Sequence, residues 1–588
     1  MARTDTIDVA LGEQPADLVV TDAEVIDVHT REIRSGGVAV VGDRIAYVGA
    51  EASEMIGEET TVLDADGRYL SPGFIDAHIH VESTLLTPTE FTKAVLQHGT
   101  TAVATDLMEV TIVSGVDGLE EILDECRQLP LGFFYMVPSF MEEGDVQTVG
   151  GKLEPELVNE LIDLPEAMGL AEVLVPPVLD ENPVVTEMIE TAIEKNKTRE
   201  GHSPDTYGRE LQAYVGAGAT SDHESTNVDE ALGKLRAGQW VYMREGSAST
   251  DLESVVEMVT ERDIDTRRVG MISDDIDALH IDEKGHMDHK IRLAVDAGVD
   301  PVEAIQMATI NPAEGMRIDE DYGSIAPGKF ADLVLLEGEL ADCAVSSVVA
   351  KGELLYDSGE LTGELPSVDY SETLRDTVDV GGELHPDEFT VTVDESATEA
   401  RVNVLGASGS TLLKEAQEAT LPVVDSVVRA DPDDDVLHIA SVDRYEASGR
   451  VGTGFVSGFG LDTGAFATSV GHDHHNVTVV GASPDEMAVA ANRVAELEGG
   501  LVVVRDGEVA AELRLPVCGL LSPEPIDAVT DRLDEMNRLL DEMGCEMASP
   551  FMSLSFVTLI YIPAYGITDY GLVEADGFDV VDPVVETT

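Results

Sequence analysis

A chain of 588 residues is too long for one hydrophobic core and calls for two or three domains, and a hydrophobic content of 43% supports packed ones. Asp and Glu number 116 against 35 Lys and Arg, and the net charge of −81 weighs against nucleic acid and anionic membrane surfaces as partners. The acid is spread along the whole chain, which points to a surface suited to high salt, where self-repulsion is screened. Cys126, Cys343, Cys518 and Cys545 stand far apart, so neither a disulfide framework nor a cysteine-based zinc site is expected. The first residues lead to no long apolar run, and no apolar stretch reaches the roughly 18 residues of a membrane span. A cytoplasmic protein with no membrane partner is expected.

Residues 17–66 alternate short apolar runs with turns, as in Gly37-Val38-Ala39-Val40-Val41, and read as a small antiparallel sheet. From residue 74 strand-like and helix-like stretches alternate. Strands are expected at 74–80, 100–107, 132–139, 169–174, 199–204, 219–224, 240–246 and 268–275. Helices are expected at 89–98, 119–128, 154–161, 184–195, 209–217, 228–237, 252–261 and 287–297. Eight such repeats give the α/β class and a (β/α)8 TIM-type barrel in preference to an open doubly wound sheet. Strand character returns over 323–357 and completes the first sheet beside the barrel. The expected division is a small β domain from 1–70 and 320–360, a barrel at 71–319, a polar linker at 361–384 and an α+β C-terminal domain at 385–588.

Active sites on this barrel lie at the C-terminal ends of its strands. Strand residues two apart point the same way, so His78 and His80 project together from the first strand. Glu172, His202, His223 and Asp274 fall at the ends of the fourth, fifth, sixth and eighth strands. Each alone reads as an ordinary hydrogen-bonding residue; gathered at one mouth they suit a transition-metal site. Six ligands exceed the needs of one four-coordinate ion, so two divalent ions are expected. Glu172 would bridge them, with His78, His80 and Asp274 on one and His202 and His223 on the other. Such a pair stabilises a hydroxide nucleophile near neutral pH, and Asp274 is placed to pass its proton to a leaving group.

Around these six, Glu224 and Asp275 are candidates to orient ligands, and Glu109 to meet a substrate or orient a ligand. Arg244, Glu245 and Ser247, after the seventh strand, are candidates to meet a substrate or to brace the site. His472, Asp473, His474 and His475, far along the chain, read as a further metal site, a cover over the barrel mouth or a solvated loop.

Several segments together carry a resemblance. They are 72–83 around His-x-His, Gly169-Leu170-Ala171-Glu172, Glu200-Gly201-His202-Ser203-Pro204, Asp222-His223-Glu224-Ser225 and Met243-Arg244-Glu245-Gly246-Ser247-Ala248. Ser273-Asp274-Asp275, Gly285-His286-Met287-Asp288 and Ala326-Pro327-Gly328-Lys329-Phe330-Ala331-Asp332 belong with them, as do Gly458-Phe459-Gly460-Leu461 and His472-Asp473-His474-His475-Asn476. On these the chain resembles the adenine deaminases of the amidohydrolase superfamily over nearly its whole length. The resemblance implies hydrolysis of adenine to hypoxanthine and ammonia in purine salvage, with Mn²⁺ foremost and Fe²⁺ or Zn²⁺ as alternatives. It also implies a homo-oligomer. Glu172, with no lysine near it on the fourth strand, sets the chain apart from ring-amidohydrolases that carry a carboxylated lysine there. Where the family usually has Asp-Pro-His-Glu, this chain has Asp106-Leu107-Met108-Glu109. Met108 cannot make a histidine's hydrogen bonds, and it is the ground for an alternative: an amidohydrolase of another aminopurine or cyclic amide. An inert binding module is the remaining reading. From the charge alone, refolding yield and activity are expected to rise with KCl toward molar concentrations; a maximum in dilute buffer would overturn the high-salt reading.

Overall fold

The computed structural model describes residues 3–588 except 140–145, 152–154, 248, 263, 409–413, 563 and 576. Ala248 and the start of the helix expected at Glu154 lie outside the described residues. Eight parallel strands form one sheet in chain order: Phe74–Asp76, Thr100–Thr105, Gly132–Pro138, Ala167–Leu174, Thr198–His202, Ser221–Asp222, Trp240–Arg244 and Val269–Ile272. The sheet closes on itself just beyond its first and last strands. Ile79 bridges Asp274 in parallel, the Asp274 N–H donates to the His78 carbonyl (3.0 Å) and the His80 N–H to the Asp274 carbonyl (3.3 Å). The architecture is a (β/α)8 barrel, and its seam is made by the residues that carry the His-x-His pair.

The first strand ends at Asp76 rather than at His80. Buried Asp76 accepts the His78 N–H (3.3 Å) and the Ser273 N–H (3.2 Å), so a side chain ties the first strand to the eighth where ladder bonds stop. The helix after the second strand begins at Met108, not at 119. Gly115, at φ +68, breaks it in the middle and makes its first half read as loop. That early start puts Glu109 in the first helical turn, at the barrel mouth. Helices Ala278–Lys284, Pro301–Met307 and Ile310–Met316, unforeseen in the sequence pattern, follow the eighth strand.

The strands at Leu18–Asp27, Glu32–Val41, Arg44–Gly49, Thr61–Asp64 and Tyr69–Pro72 join Leu333–Glu337, Ala344–Ala350, Glu353–Asp357 and Glu360–Leu361 in one sheet. It is mixed rather than purely antiparallel, because Thr61–Asp64 and Tyr69–Pro72 both return parallel to Leu18–Asp27. Residues 361–384 hold no regular element beyond the end of the last of these strands, but they are no solvated tether. Leu374 is fully buried, Tyr370 donates to Glu125 (2.9 Å), and Val378, Val380 and Leu384 enter a C-terminal apolar core. That core belongs to a ten-stranded sheet carrying helices Pro484–Glu496 and Ile526–Glu542. A single apolar cluster joins Leu107 and Val110 of the barrel to Phe459 and Leu520 beyond it, so the two units share a dry interface. Among the described residues, no helix is long and apolar enough to cross a membrane.

One buried lysine, paired with two carboxylates, holds two loops of the barrel mouth. Lys234 is fully buried and donates to Asp222 and to Glu230 (3.0 Å). Asp222 in turn accepts the Ser203 N–H (2.9 Å) and the Glu224 N–H (3.0 Å), fixing the chain beside His202 and His223. Replacing Lys234 with Met strands a buried carboxylate, so Lys234→Met is expected to cost about 3–5 kcal/mol. The thermal unfolding midpoint should fall well below that of the wild-type protein.

Candidate metal centre

Local backbone geometry aims the two acidic residues. Between the fourth and fifth strands the register slips: Arg199 faces Leu170, but Gly201 faces Val173. The extra residue is a bulge at Ala171 and Glu172, and Glu172 sits in it at φ +50. Asp274, at the end of the eighth strand, sits at φ +59. Such left-handed backbone costs a non-glycine residue about 1–3 kcal/mol and is retained where a side chain must point a particular way.

The six side chains read from the sequence converge. His78 Nε2 lies 3.4 Å from Glu172 Oε1 and 3.4 Å from Asp274 Oδ1. His80 Nε2 is 3.3 Å from the same Asp274 oxygen. On the other side His223 Nε2 is 3.3 Å from Glu172 Oε1, and His202 Nδ1 is 2.5 Å from Glu172 Oε2. Glu224 Oε1 joins this second group, 3.3 Å from His223 Nε2. Atoms sharing a tetrahedral ion at about 2.0–2.1 Å lie about 3.3–3.4 Å apart. His78 Nε2, His202 Nδ1 and His223 Nε2 are buried and face these oxygens without making a hydrogen bond. Buried polar atoms left so are the mark of a site built for something else to bind.

Electrostatics agree. Burial pulls the His78 imidazole down, but Glu200 and Asp274 raise it to about 10. Burial acts likewise on His202, which Glu172 and Glu224 raise to about 9. Against burial, His202 and His223 hold the Glu172 carboxyl well below its usual range. The pocket demands positive charge, and a divalent cation would supply it in place of imidazole protons. The His, Asp and Glu clusters here fit a divalent metal site.

Two residues with no assigned role in the sequence reading complete the set. Glu200 takes His78 Nδ1 on one oxygen (3.0 Å) and faces His223 Nδ1 with the other (3.6 Å). Asp106 takes His80 Nδ1 (3.2 Å). Metal-binding histidines are oriented in this manner by a carboxylate on the far nitrogen. The signal for Glu200 was present in the sequence: it stands two residues before His202 on one strand. Arg244 proves to be a brace, its buried guanidinium donating to Glu224 (2.6 Å), Asp274 (2.9 Å) and Asp251 (2.8 Å). Ser247 Oγ accepts the Asp277 N–H (2.9 Å) and Glu245 groups with His280 and His289, so neither joins the six.

The C-terminal histidines divide. His474 is structural: its Nε2 donates to the Ile567 carbonyl (3.1 Å) and its Nδ1 accepts the Asn476 N–H (3.0 Å). His472 and His475 reach across to the barrel and grip Glu109, His472 Nδ1 at 2.8 Å and His475 Nε2 through a short contact. His472 Nε2 lies 3.6 Å from Asp275 Oδ1, and Asp275 itself accepts from Ser83. Asp473 is buried beside them.

Comparison with known proteins follows the same division. Residues 69–355 match the amidohydrolase family model, and residues 411–579 match the model of the adenine deaminase C-terminal domain. An adenine deaminase of Moorella thermoacetica is 38% identical, covering 98% of this chain and 97% of that protein. Those of Mesorhizobium japonicum and Rubrobacter xylanophilus are 38% and 39% identical, each covering 98% of this chain and 96% of the relative.

Because Glu200 orients two imidazoles at once, Glu200→Gln is expected to weaken metal binding by about 10–100-fold. Competition with a chelator, read as metal retained per chain, measures it.

Proposed function

The chain belongs to the adenine deaminase family, and we propose that it hydrolyses adenine to hypoxanthine and ammonia. The observation that carries the reading is the convergence of four imidazoles on Glu172 and Asp274, those of His78, His80 and His223 at 3.3–3.4 Å and that of His202 at 2.5 Å, in a chain similar to adenine deaminases from end to end. In this reading His78, His80 and Asp274 would hold one ion and His202 and His223 a second, with Glu172 serving both. Glu224 adds a carboxylate to the second group. Two ions suit the charge as well. The four imidazoles touch Asp106, Glu172, Glu200, Glu224 and Asp274, and the guanidinium among these, Arg244, is shared with Asp251.

Mn²⁺ is the foremost candidate and Fe²⁺ or Zn²⁺ the alternatives; when bound, the ions supply Lewis acidity and an activated water at the barrel mouth. The chain's own residues handle the protons. In the net reaction one proton of water ends on N1 of the ring and the other on the departing amine. Asp274, with Oδ1 toward His78 and His80 and Oδ2 held by Arg244, is the proposed carrier. Arg244 keeps that carboxylate aimed and holds Glu224 with it. The barrel and C-terminal unit share one apolar core, and the side chains of His78, His223, Glu172 and Asp274 are buried. We take the acidic surface as fitting a cytoplasm of high salt, and a homo-oligomer as the working assembly.

The test is ammonia release from adenine by the purified protein in about 2 M KCl with added Mn²⁺, a salt level that screens the surface charge. Adenine turnover in the wild-type protein, lost with bound metal in Glu172→Gln, is the expected result. Metal bound but adenine untouched, with turnover of another aminopurine or cyclic amide, would overturn the substrate and favour the reading that Met108 marks a different specificity.

A further inference from the structure

A second group of ligand-type side chains lies apart from the six. Glu245, His280 and His289 each bring one ligand atom within 4.8 Å of the other two. Glu245 follows Arg244 at the end of the seventh barrel strand, His280 stands in the helix Ala278–Lys284 and His289 in the helix Met287–Asp296. The first two are buried, and His289 is half-buried, which gives the cluster an outlet to solvent.

The backbone under each residue is fixed without help from the cluster. The Glu245 N–H donates to the Ile272 carbonyl (3.0 Å). Asp277 caps the first helix by accepting the His280 N–H (2.8 Å), and its own N–H donates to Ser247 Oγ (2.9 Å), two residues after Glu245. Asp288 accepts the His286 N–H (2.9 Å) and the Arg292 guanidinium (2.7 Å) in the first turn of the second helix. The side chains of the cluster are what is left unengaged. Glu245 Oε2 and His280 Nε2 are buried with no hydrogen-bond partner among the described residues, and the His280 and His289 rings meet edge to face with centroids 5.8 Å apart. A carboxylate oxygen and an imidazole nitrogen buried unbonded in one cluster call for a ligand that engages both.

Both imidazoles are ready as neutral ligands. Burial, with Lys284 and Lys290 after it, pulls His280 down to about 3; burial, with Lys290 and Arg292 after it, pulls His289 down to about 4. Near neutral pH neither ring carries the extra proton that an ion would have to displace. Burial pushes the Glu245 carboxyl up to about 7, and a cation beside it would favour the ionised form. The rival for that carboxylate is the fully buried Lys290. Its Nζ has no hydrogen-bond partner among the described residues, and its charge answers to Asp76 and Asp288 as well as to Glu245. Two imidazoles and one carboxylate are a donor set that suits Zn²⁺, with water in the fourth position.

We propose that Glu245, His280 and His289 form an additional cation site, separate from the six, that takes a divalent transition ion of the Zn²⁺ class. The ion ties the end of the seventh strand to two helices that follow the eighth. Arg244 leaves the same strand end to hold Glu224 and Asp274, so the ion steadies the brace of the barrel mouth. Donors sharing a tetrahedral ion stand about 3.3–3.4 Å apart, so the three side chains draw together on binding. The site is independent of the adenine reading.

The test is zinc counted per chain after equilibrium dialysis in about 2 M KCl, which screens loose binding to the acidic surface. It compares the wild-type protein, His289→Ala, Glu172→Gln and the double variant Glu172→Gln/His289→Ala. His289→Ala is expected to remove about one Zn²⁺ per chain, from the wild type and again from Glu172→Gln, whose barrel-mouth ligand set is already broken. Added Zn²⁺ should raise the unfolding midpoint of Glu172→Gln and leave that of the double variant where it was. His280→Leu should repeat the loss of the ion; should it fail to fold, the half-buried His289 decides the matter alone. Equal zinc counts with and without His289 would overturn the proposal and leave Glu245 as the counter-charge of Lys290.

Discussion

The barrel closes at the point where its chemistry is assembled. The hydrogen bonds that join the first strand to the eighth run between the backbone of His78 and His80 and that of Asp274. Three proposed ligands of one ion are therefore fixed by the same contacts that turn an eight-stranded sheet into a closed barrel. Asp76, which ties His78 to Ser273 through its side chain, finishes the seam. A change that opened the seam would disperse the site, and this coupling explains why irregular backbone is tolerated there. Glu172 and Asp274 both hold left-handed conformations, stabilised by the neighbouring strands.

Charge has two separate tasks in this chain. On the surface the acidic excess is solvated and answers to salt. Inside, five buried carboxylates near the mouth have cationic or imidazole partners: Asp222 has Lys234, Glu224 has Arg244, Glu200 has His78, Asp106 has His80 and Glu109 has His472 and His475. A chain with 35 basic residues among 588 places some of them in its interior, where one unpaired carboxylate costs more than many on the surface. The interior pairs also have direction. Glu200 and Asp106 act on the far nitrogens of the metal-facing imidazoles, so the ring orientations are settled before any ion arrives.

The C-terminal unit is part of the barrel's working end and not an appendage. Residues 361–384 bind it to the helix after the second strand through Tyr370 and Glu125, and its core is continuous with that of the barrel. Glu109 is a polar point of contact between the two. It stands one residue after Met108, in a turn of helix that begins at the barrel mouth, and it is gripped by two imidazoles more than 360 residues further along. A barrel lacking this unit would leave Glu109 without the two imidazoles that meet it here.

The sequence by itself determined the repeat of eight strands and helices, because apolar periodicity is written locally. It also picked out the six strand-end residues whose side chains converge, because the metal chemistry expected at that mouth restricts candidates to His, Asp and Glu. It identified His472 to His475 as unusual and gave Arg244 two readings. Tertiary structure decided between those readings: Arg244 is engaged by three carboxylates, His474 by two backbone groups, and His472 and His475 by Glu109. It also decided the bulge at Glu172, the early helix at Met108 and the packing of 361–384. Each of these depends on a partner distant in the chain, and periodicity carries no record of which distant groups will meet. A residue type states what a side chain can do; only the fold says which of its atoms are already engaged.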